Sequence, residues 1–406
     1  MRNSRCVAVP AGSPRCEGGV GSLLCKAPVT KPSRDPPSFV KILDVLSPPP
    51  SSVLSAVPET LARLAPRDWE HALALGRLHL VAGRWHGRLE AAGLLSTLPP
   101  RVRNQLWSEQ LLAAERTRMV RFETDRIAHA LSASGMPLVL LKGAAYILAG
   151  LPPGEARRVS DVDLLVPEAR LQEAEQLLNR HGWQSMPHDE YDDHYYRHWM
   201  HELPPLQHVA RGATLDVHHN LLPRTDLLCP DPAPLFAAAE RLPGTQLSVL
   251  SPADMVLHSI VHGFRGGEFI NGWRDTQDVH ELATHFAATR PGFWESFAAR
   301  VRLFGFEEPA WYALNLSRRV HGTKLPAGLL EACAKRPGRL RRAIVLGALR
   351  RAVQPELPPQ RAKRLALAFL YLRSHWVKMP ALLLARHLWT KYRKRREHAT
   401  GHHDTA

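Results

Sequence analysis

The sequence predicts an α+β protein, a small mixed-sheet lobe set between a helical N-terminal segment and a helical C-terminal domain. Three features point there. Pro137-Leu-Val-Leu-Leu141 is an aliphatic, strand-like run that breaks at Gly143 into a helix. Arg157-Arg-Val-Ser-Asp-Val-Asp-Leu-Leu-Val166 sets two acids at i and i+2 within a second apolar run. Beyond about Pro230 the apolar spacing is almost entirely helical.

Residues 1–37 are rich in Pro, Gly and Ser, show no periodicity, and are expected to be a disordered tail or an over-extended gene start. From Phe39, the positions Phe39, Ile42, Leu43 and Leu46 share a helical face, and a long run from Arg101 to Ser134 places Leu106, Leu111, Val120, Phe122, Ile127 and Leu131 at helical spacing. These residues form an expected helical N-terminal lobe over 38–135. An α/β lobe follows over 136–230: strand 137–141, helix 143–150, a Gly/Pro turn, strand 161–166, and an amphipathic helix 167–181. Pro167 fits the first turn of that helix and Gly182 its left-handed end. Alternating strands and helices imply a mixed sheet with helices packed on it. The strand-like Thr214-Leu-Asp-Val-His218 closes the lobe. A helical domain is expected over 231–396, starting with a Ser251 cap and Pro252 at the first position, and 397–406 is read as a second tail.

At 406 residues, with 45% hydrophobic and 22% charged residues, the chain can build two or three domains. No run approaches the roughly 18 apolar residues of a membrane span, and the N-terminus lacks the apolar core of a secretory signal. Five cysteines without Cys-x-x-Cys spacing do not make a disulfide framework, so a cytoplasmic location is expected. The net charge of +15 is concentrated: Lys335 to Arg396 holds 18 Lys/Arg against Glu356 alone, a local +17 that leaves the rest at about −2. Such a lobe implies an anionic partner, nucleic acid or a membrane face, or else a merely solvated basic surface.

The chemistry centres on Asp161 and Asp163. Strand side chains alternate with period two, so both carboxylates face one side, and their mutual repulsion calls for a cation such as Mg²⁺. The alternative is an edge strand with its acids in water. Asp216 sits centrally in its own strand-like run, although Asp193 and Asp226 compete as a third acid. Lys142, Gly143 and Ala144 open a helix, where backbone N–H groups suit a phosphate and Gly143 removes a side chain from its path; packing alone also explains such a glycine. Arg157 is placed for a phosphate oxygen and Ser160 for the same site or a local cap. His218 lies on the same strand face as Asp216 and is placed to support the acids, with a structural histidine as the simpler account. His194, His198 and His201 have ligand-like zinc spacing, with surface histidines as the simpler account. Arg274 and Asp278 are spaced i, i+4 for a helix pair.

Leu140-Leu-Lys-Gly-Ala-Ala145, Arg157 followed by Ser160-Asp-Val-Asp-Leu-Leu-Val166, and Leu215-Asp-Val-His218 resemble an uncharacterised bacterial nucleotidyltransferase family of the polymerase-beta-like superfamily. His262, Arg274-Asp-Thr-Gln-Asp278, His375-Trp-Val-Lys-Met-Pro380 and Arg386-His-Leu388 extend the resemblance to roughly residues 40–395. It implies that Asp161, Asp163 and Asp216 hold two Mg²⁺ ions, with Mn²⁺ as an alternative, and are the catalytic acids. Lys142, Gly143, Ala144, Arg157 and Ser160 would bind the nucleotide. The implied reaction transfers an NMP from an NTP to an unidentified hydroxyl on a small molecule, a protein or an RNA end. Two departures stand out, Ala144 where the superfamily has a second Gly or Ser, and a longer gap before Asp161. The alternatives are an inactive nucleotide- or nucleic-acid-binding protein using the basic C-terminal lobe, and a phosphotransferase releasing NDP.

Overall fold

The computed structural model describes residues 66–186, 196, 199–265, 269, 271–333, 338–354 and 359–378. The expected tails, the helix starting at Phe39 and the basic helix over 380–396 lie outside the described residues.

Three helices come first: α1 (Pro66–Leu78), α2 (Ala82–Ala91) and the long α3 (Pro100–Leu131). Pro100 fits the start of α3, where its missing N–H has no intrahelical partner. Of the apolar positions expected to face inward, Leu106, Val120, Ile127 and Leu131 are buried, whereas Leu111 and Phe122 are exposed. Phe122 instead lies under the guanidinium groups of Arg126 and Arg211.

The sheet begins at β1 (Leu138–Leu141), whose four residues are all buried, as an interior strand requires. It turns directly into α4 (Lys142–Leu148) and is followed by β2 (Asp161–Leu165). A single 3₁₀ turn (Glu168–Arg170) takes the start of the helix expected from Pro167, and α5 covers Leu171–Arg180. Gly182, at φ +86°, closes it as expected. Next come β3 (Trp183–Ser185), β4 (Leu206–His208) and β5 (Thr214–His218).

The sheet does not stop at residue 230. After α6 (Ala233–Ala237), β6 (Glu240–Arg241) and β7 (Leu247–Val249) add to its far side, in the order β3-β4-β5-β2-β1-β7-β6. Two and three residues are too short to leave a period in the sequence, so the expectation of an almost entirely helical chain beyond about Pro230 did not include them. β1 runs antiparallel to β2 and parallel to β7, while β2 runs parallel to β5.

The remainder is helical: α7 (Pro252–Arg265), α8 (Gly272–Thr289), α9 (Phe293–Phe304), α10 (Glu307–His321), α11 (Leu329–Cys333), α12 (Arg339–Val353) and α13 (Arg361–Lys378). Ser251 caps α7 reciprocally, accepting from the Asp254 N–H at 3.3 Å and donating to its carboxylate at 2.8 Å. The main core gathers both faces of the sheet with α7 to α10, and a second joins α1, α2 and α3 around Trp69 and Trp85. Trp273 of α8 belongs to that second core, so the N-terminal helices pack on the C-terminal ones.

Candidate active site

The parallel register of β2 and β5 sets Val162 beside Leu215 and Asp163 beside Asp216. Since neighbours in register point to the same side of a sheet, Asp161, Asp163 and Asp216 share one face. Two of the acids come from one strand by its period of two; the third arrives through pairing. The competing Asp226 is buried and bound by Arg265 through hydrogen bonds of 2.6–2.8 Å, a structural pair. Asp193 lies outside the described residues.

The three carboxylates are held unequally. The Lys142 ammonium donates to Asp163 Oδ1 at 2.7 Å, and His218 Nε2 lies 3.0 Å from the same oxygen. Burial alone would raise the Asp163 carboxyl, but these two partners hold it far below the usual carboxylate range. Burial, and then the negative charge of Asp163, raise Asp161, whose Oδ1 accepts from the Ser160 hydroxyl at 3.1 Å. The same causes, burial first, raise Asp216 to about 7. Asp216 Oδ1 is buried with no hydrogen-bond partner. An orphaned buried carboxylate oxygen on the face that carries Asp161 and Asp163 is a donor of the kind a hard divalent cation takes. The residues therefore fit the metal that the fold implies.

Lys142 is the first residue of α4 and sits at φ +44°, a left-handed conformation that a lysine adopts at a steric cost. Placed there, its side chain turns back to the acids instead of outward. Gly143 has ordinary backbone angles; what it supplies is space, because a Cβ there would meet Val159 Cγ2 at 2.8 Å and Arg157 Nε at 3.3 Å. Ala144 is buried behind it.

Beside the acids opens a cleft of about 390 Å³, lined by Lys142, Gly143, Ser160, Asp161 and Asp163 at one end and by Arg116, Arg158, His262, Arg274 and Asp275 elsewhere. Arg274 reaches Asp275 at 3.5 Å, and its Nε is buried and unpartnered. The expected Arg274–Asp278 helix pair does not form, because Asp278 points inward to other partners. Arg157 donates to both of its oxygens at 2.9 and 2.7 Å, and Arg84 of α2 reaches it at 3.2 Å. Arg84 also donates to Glu281 and to the Pro153 carbonyl. Arg157 thus lines the cleft while its charge is taken by Asp278.

The sequence assigned no role to Asp275, although it lies within the quoted Arg274–Asp278 motif; it missed Arg116 and Arg158, and Glu202, whose carboxylate lies 3.2 Å from His218 Nδ1. Of the zinc-spaced histidines only His201 lies among the described residues. Its ring stands 5.2 Å from that of His218.

A small mixed sheet with three carboxylates on one face, beside a cation-lined cleft, points to a nucleotidyltransferase. A family profile confirms the class: that of the uncharacterised nucleotidyltransferases matches residues 65–322, more than half of the chain, and the chain belongs to that family. No curated protein and no solved structure matches it. Membership makes it a nucleotidyltransferase with an NTP as substrate, and no described helix is long and apolar enough to cross a membrane.

Proposed function

We propose that the protein is a metal-dependent nucleotidyltransferase that moves an NMP from an NTP to an acceptor hydroxyl. The observation that carries this is the strand register, which sets Asp163 against Asp216 with Asp161 on the same face. Asp161, Asp163 and Asp216 would hold Mg²⁺ or Mn²⁺, two ions in all, supplying neutralisation of phosphate charge and a lowered pKa for an attacking hydroxyl. Asp216 would also accept that hydroxyl's proton.

The nucleotide phosphates would lie in the cleft. Arg158 and Arg274 offer guanidinium donors there, Ser160 a hydroxyl, and Gly143 an unobstructed approach to the backbone. Ala144 would serve only by packing α4 behind the site. Arg157 would shape the wall, as its charge is already matched. Lys142, which is paired with Asp163 here, would be free to contact a phosphate oxygen if that carboxylate held an ion. Most of the rate then comes from positioning and electrostatics. The acceptor class is set by the surface around the cleft, and the basic C-terminal helices would suit an anionic one.

Calorimetric titration of each NTP with Mg²⁺ tests this in the wild type and in Asp161→Asn/Asp216→Asn, which spares the internally paired Asp163. Mg²⁺-dependent binding that the double variant loses, with pyrophosphate release as the activity readout, is the expected result. NTP binding that ignores both Mg²⁺ and the substitutions would instead favour a non-catalytic binding protein.

A further inference from the structure

Next to the acids, on the other side of His218, lies a second group of donors with different chemistry. The backbone of residues 201–203 pairs with the end of β5: His219 N–H donates to the His201 carbonyl and Leu203 N–H to the Val217 carbonyl, both at 2.8 Å, with Glu202 bridged to His218 between them. This pairing holds His201, Glu202 and His218 so that one donor atom from each lies within 4.8 Å of the other two. Glu202 Oε2 is 3.2 Å from His218 Nδ1. A hydrogen bond between those two accounts for only part of the group, because His201 Nδ1 is buried and has no partner. Buried imidazole nitrogens without a partner are uncommon and need a reason.

We infer that His201, Glu202 and His218 form a transition-metal site of the zinc class, separate from the acidic centre. Two imidazoles and one carboxylate are a known three-ligand set for Zn²⁺ with a fourth position left open, whereas Mg²⁺ prefers an all-oxygen shell. A tetrahedral ion with bonds of about 2.0–2.2 Å separates its ligands by about 3.3–3.6 Å, close to the Glu202–His218 spacing. The other nitrogen of His218 faces Asp163 at 3.0 Å. A metal-bound histidine commonly donates its second N–H to a carboxylate, which fixes its tautomer and ring orientation. The sequence spacing that first drew attention to His201 therefore leads to different partners, one adjacent in the chain and one seventeen residues on. The site stands on these donors alone and survives even if Asp161, Asp163 and Asp216 hold no magnesium. If they do, the zinc-class ion would orient Asp163 through His218.

The test uses the full chain, stripped with a chelator, dialysed, and titrated with Zn²⁺ against a chromophoric competitor in excess Mg²⁺. One tightly held equivalent is expected. His201→Ala and Glu202→Gln should each weaken it by roughly tenfold or more, and Asp161→Asn/Asp216→Asn should leave it in place. Co²⁺ loaded into the wild type gives a check that needs no variant: intense visible d–d bands of low coordination number are expected. Zinc held equally well by His201→Ala and Glu202→Gln would place it on surface histidines and overturn the assignment. Loss of zinc in the double Asp variant alone would move it to the acidic centre, and no retained zinc at all would also end the proposal. The magnesium-dependent NTP titration is read separately, so failure of one site is distinguishable from failure of the other.

Discussion

Asp216 holds its proton across a range where an ordinary aspartate has lost it. Its folded value is raised to about 7 by burial and by the charge of Asp163, against about 3.9 in the unfolded chain. Between those values the native state binds more protons than the unfolded state. This group therefore favours folding at low pH, and its contribution fades as pH rises from about 4 to about 7. A divalent ion reverses the sense, since it binds the ionised form and its stabilisation grows over the same window. The rise in Tm on adding Mg²⁺ should be larger at about pH 8 than at about pH 6, and Asp216→Asn should flatten that difference. A wild-type response with no pH dependence would remove Asp216 from the metal set. Lys142 gives a companion prediction. Its ammonium holds Asp163 and would compete there with a bound metal, so Lys142→Met should destabilise the metal-free protein by about 3 kcal/mol and Mg²⁺ should restore much of the loss. Equal Mg²⁺ stabilisation of variant and wild type, followed by thermal denaturation, would show that the two cations do not share that carboxylate. Asp161 and Asp163 were legible in the sequence because the period of two is local. The contact of Lys142 with Asp163 was not, because it depends on one backbone angle.

Among the elements, the connection between α4 and β2 and the inner face of α8 fix the wall of the cleft. Gly154 lies so close to α4 that a Cβ would meet the Tyr146 carbonyl oxygen at 2.5 Å and its carbon at 2.6 Å. Backbone cannot move aside as a side chain can, so Gly154→Ala should lower stability by about 1–3 kcal/mol or more in urea denaturation. Asp278 neutralises two buried guanidinium groups, from Arg157 and Arg84. Asp278→Ala would strip Arg157 of its counter-charge and leave Arg84 with Glu281 alone, a loss of about 3–5 kcal/mol by the same measurement. Near-wild-type stability in that variant would mean that solvent reaches the network. The sequence located α8 and placed Arg274 and Asp278 four residues apart, but it could not say which way each points. Asp278's partners lie 121 and 194 positions away, and no local spacing records such distances. The same holds for Asp216: its strand was readable, whereas its register against β2 came only with the fold.

For the whole molecule, charge is the feature most plainly written in the sequence. Part of the +17 is matched internally, since Arg341 and Arg373 both reach Glu308 and Arg342 lies over Trp311. What remains exposed should act as an electrostatic surface. Binding to a generic polyanion such as heparin is expected to weaken steeply between about 50 and 300 mM salt, while Mg²⁺-dependent NTP binding in the cleft changes far less. Equal salt sensitivity would place the polyanion in the cleft itself. The lobes expected from the sequence, 38–135, 136–230 and 231–396, remain a proposal about how the chain divides. Its sheet and cores cross those limits, because β7 pairs with β1 and Trp273 packs among the first helices.

The position of β1 between β2 and β7 also matters while the protein is being made. A ribosome adds about 5–20 residues per second, so the strand that covers the second edge of β1 emerges several seconds after β2, and Asp278 later again. By the end of that interval all three acids are in the nascent chain, with β1 unpaired on one side and Arg157 without its counter-charge. An open apolar edge invites pairing with other chains. A product ending near residue 230 would therefore be an aggregation hazard before it could be an enzyme, and the wall of the cleft is complete only once Asp278 has emerged.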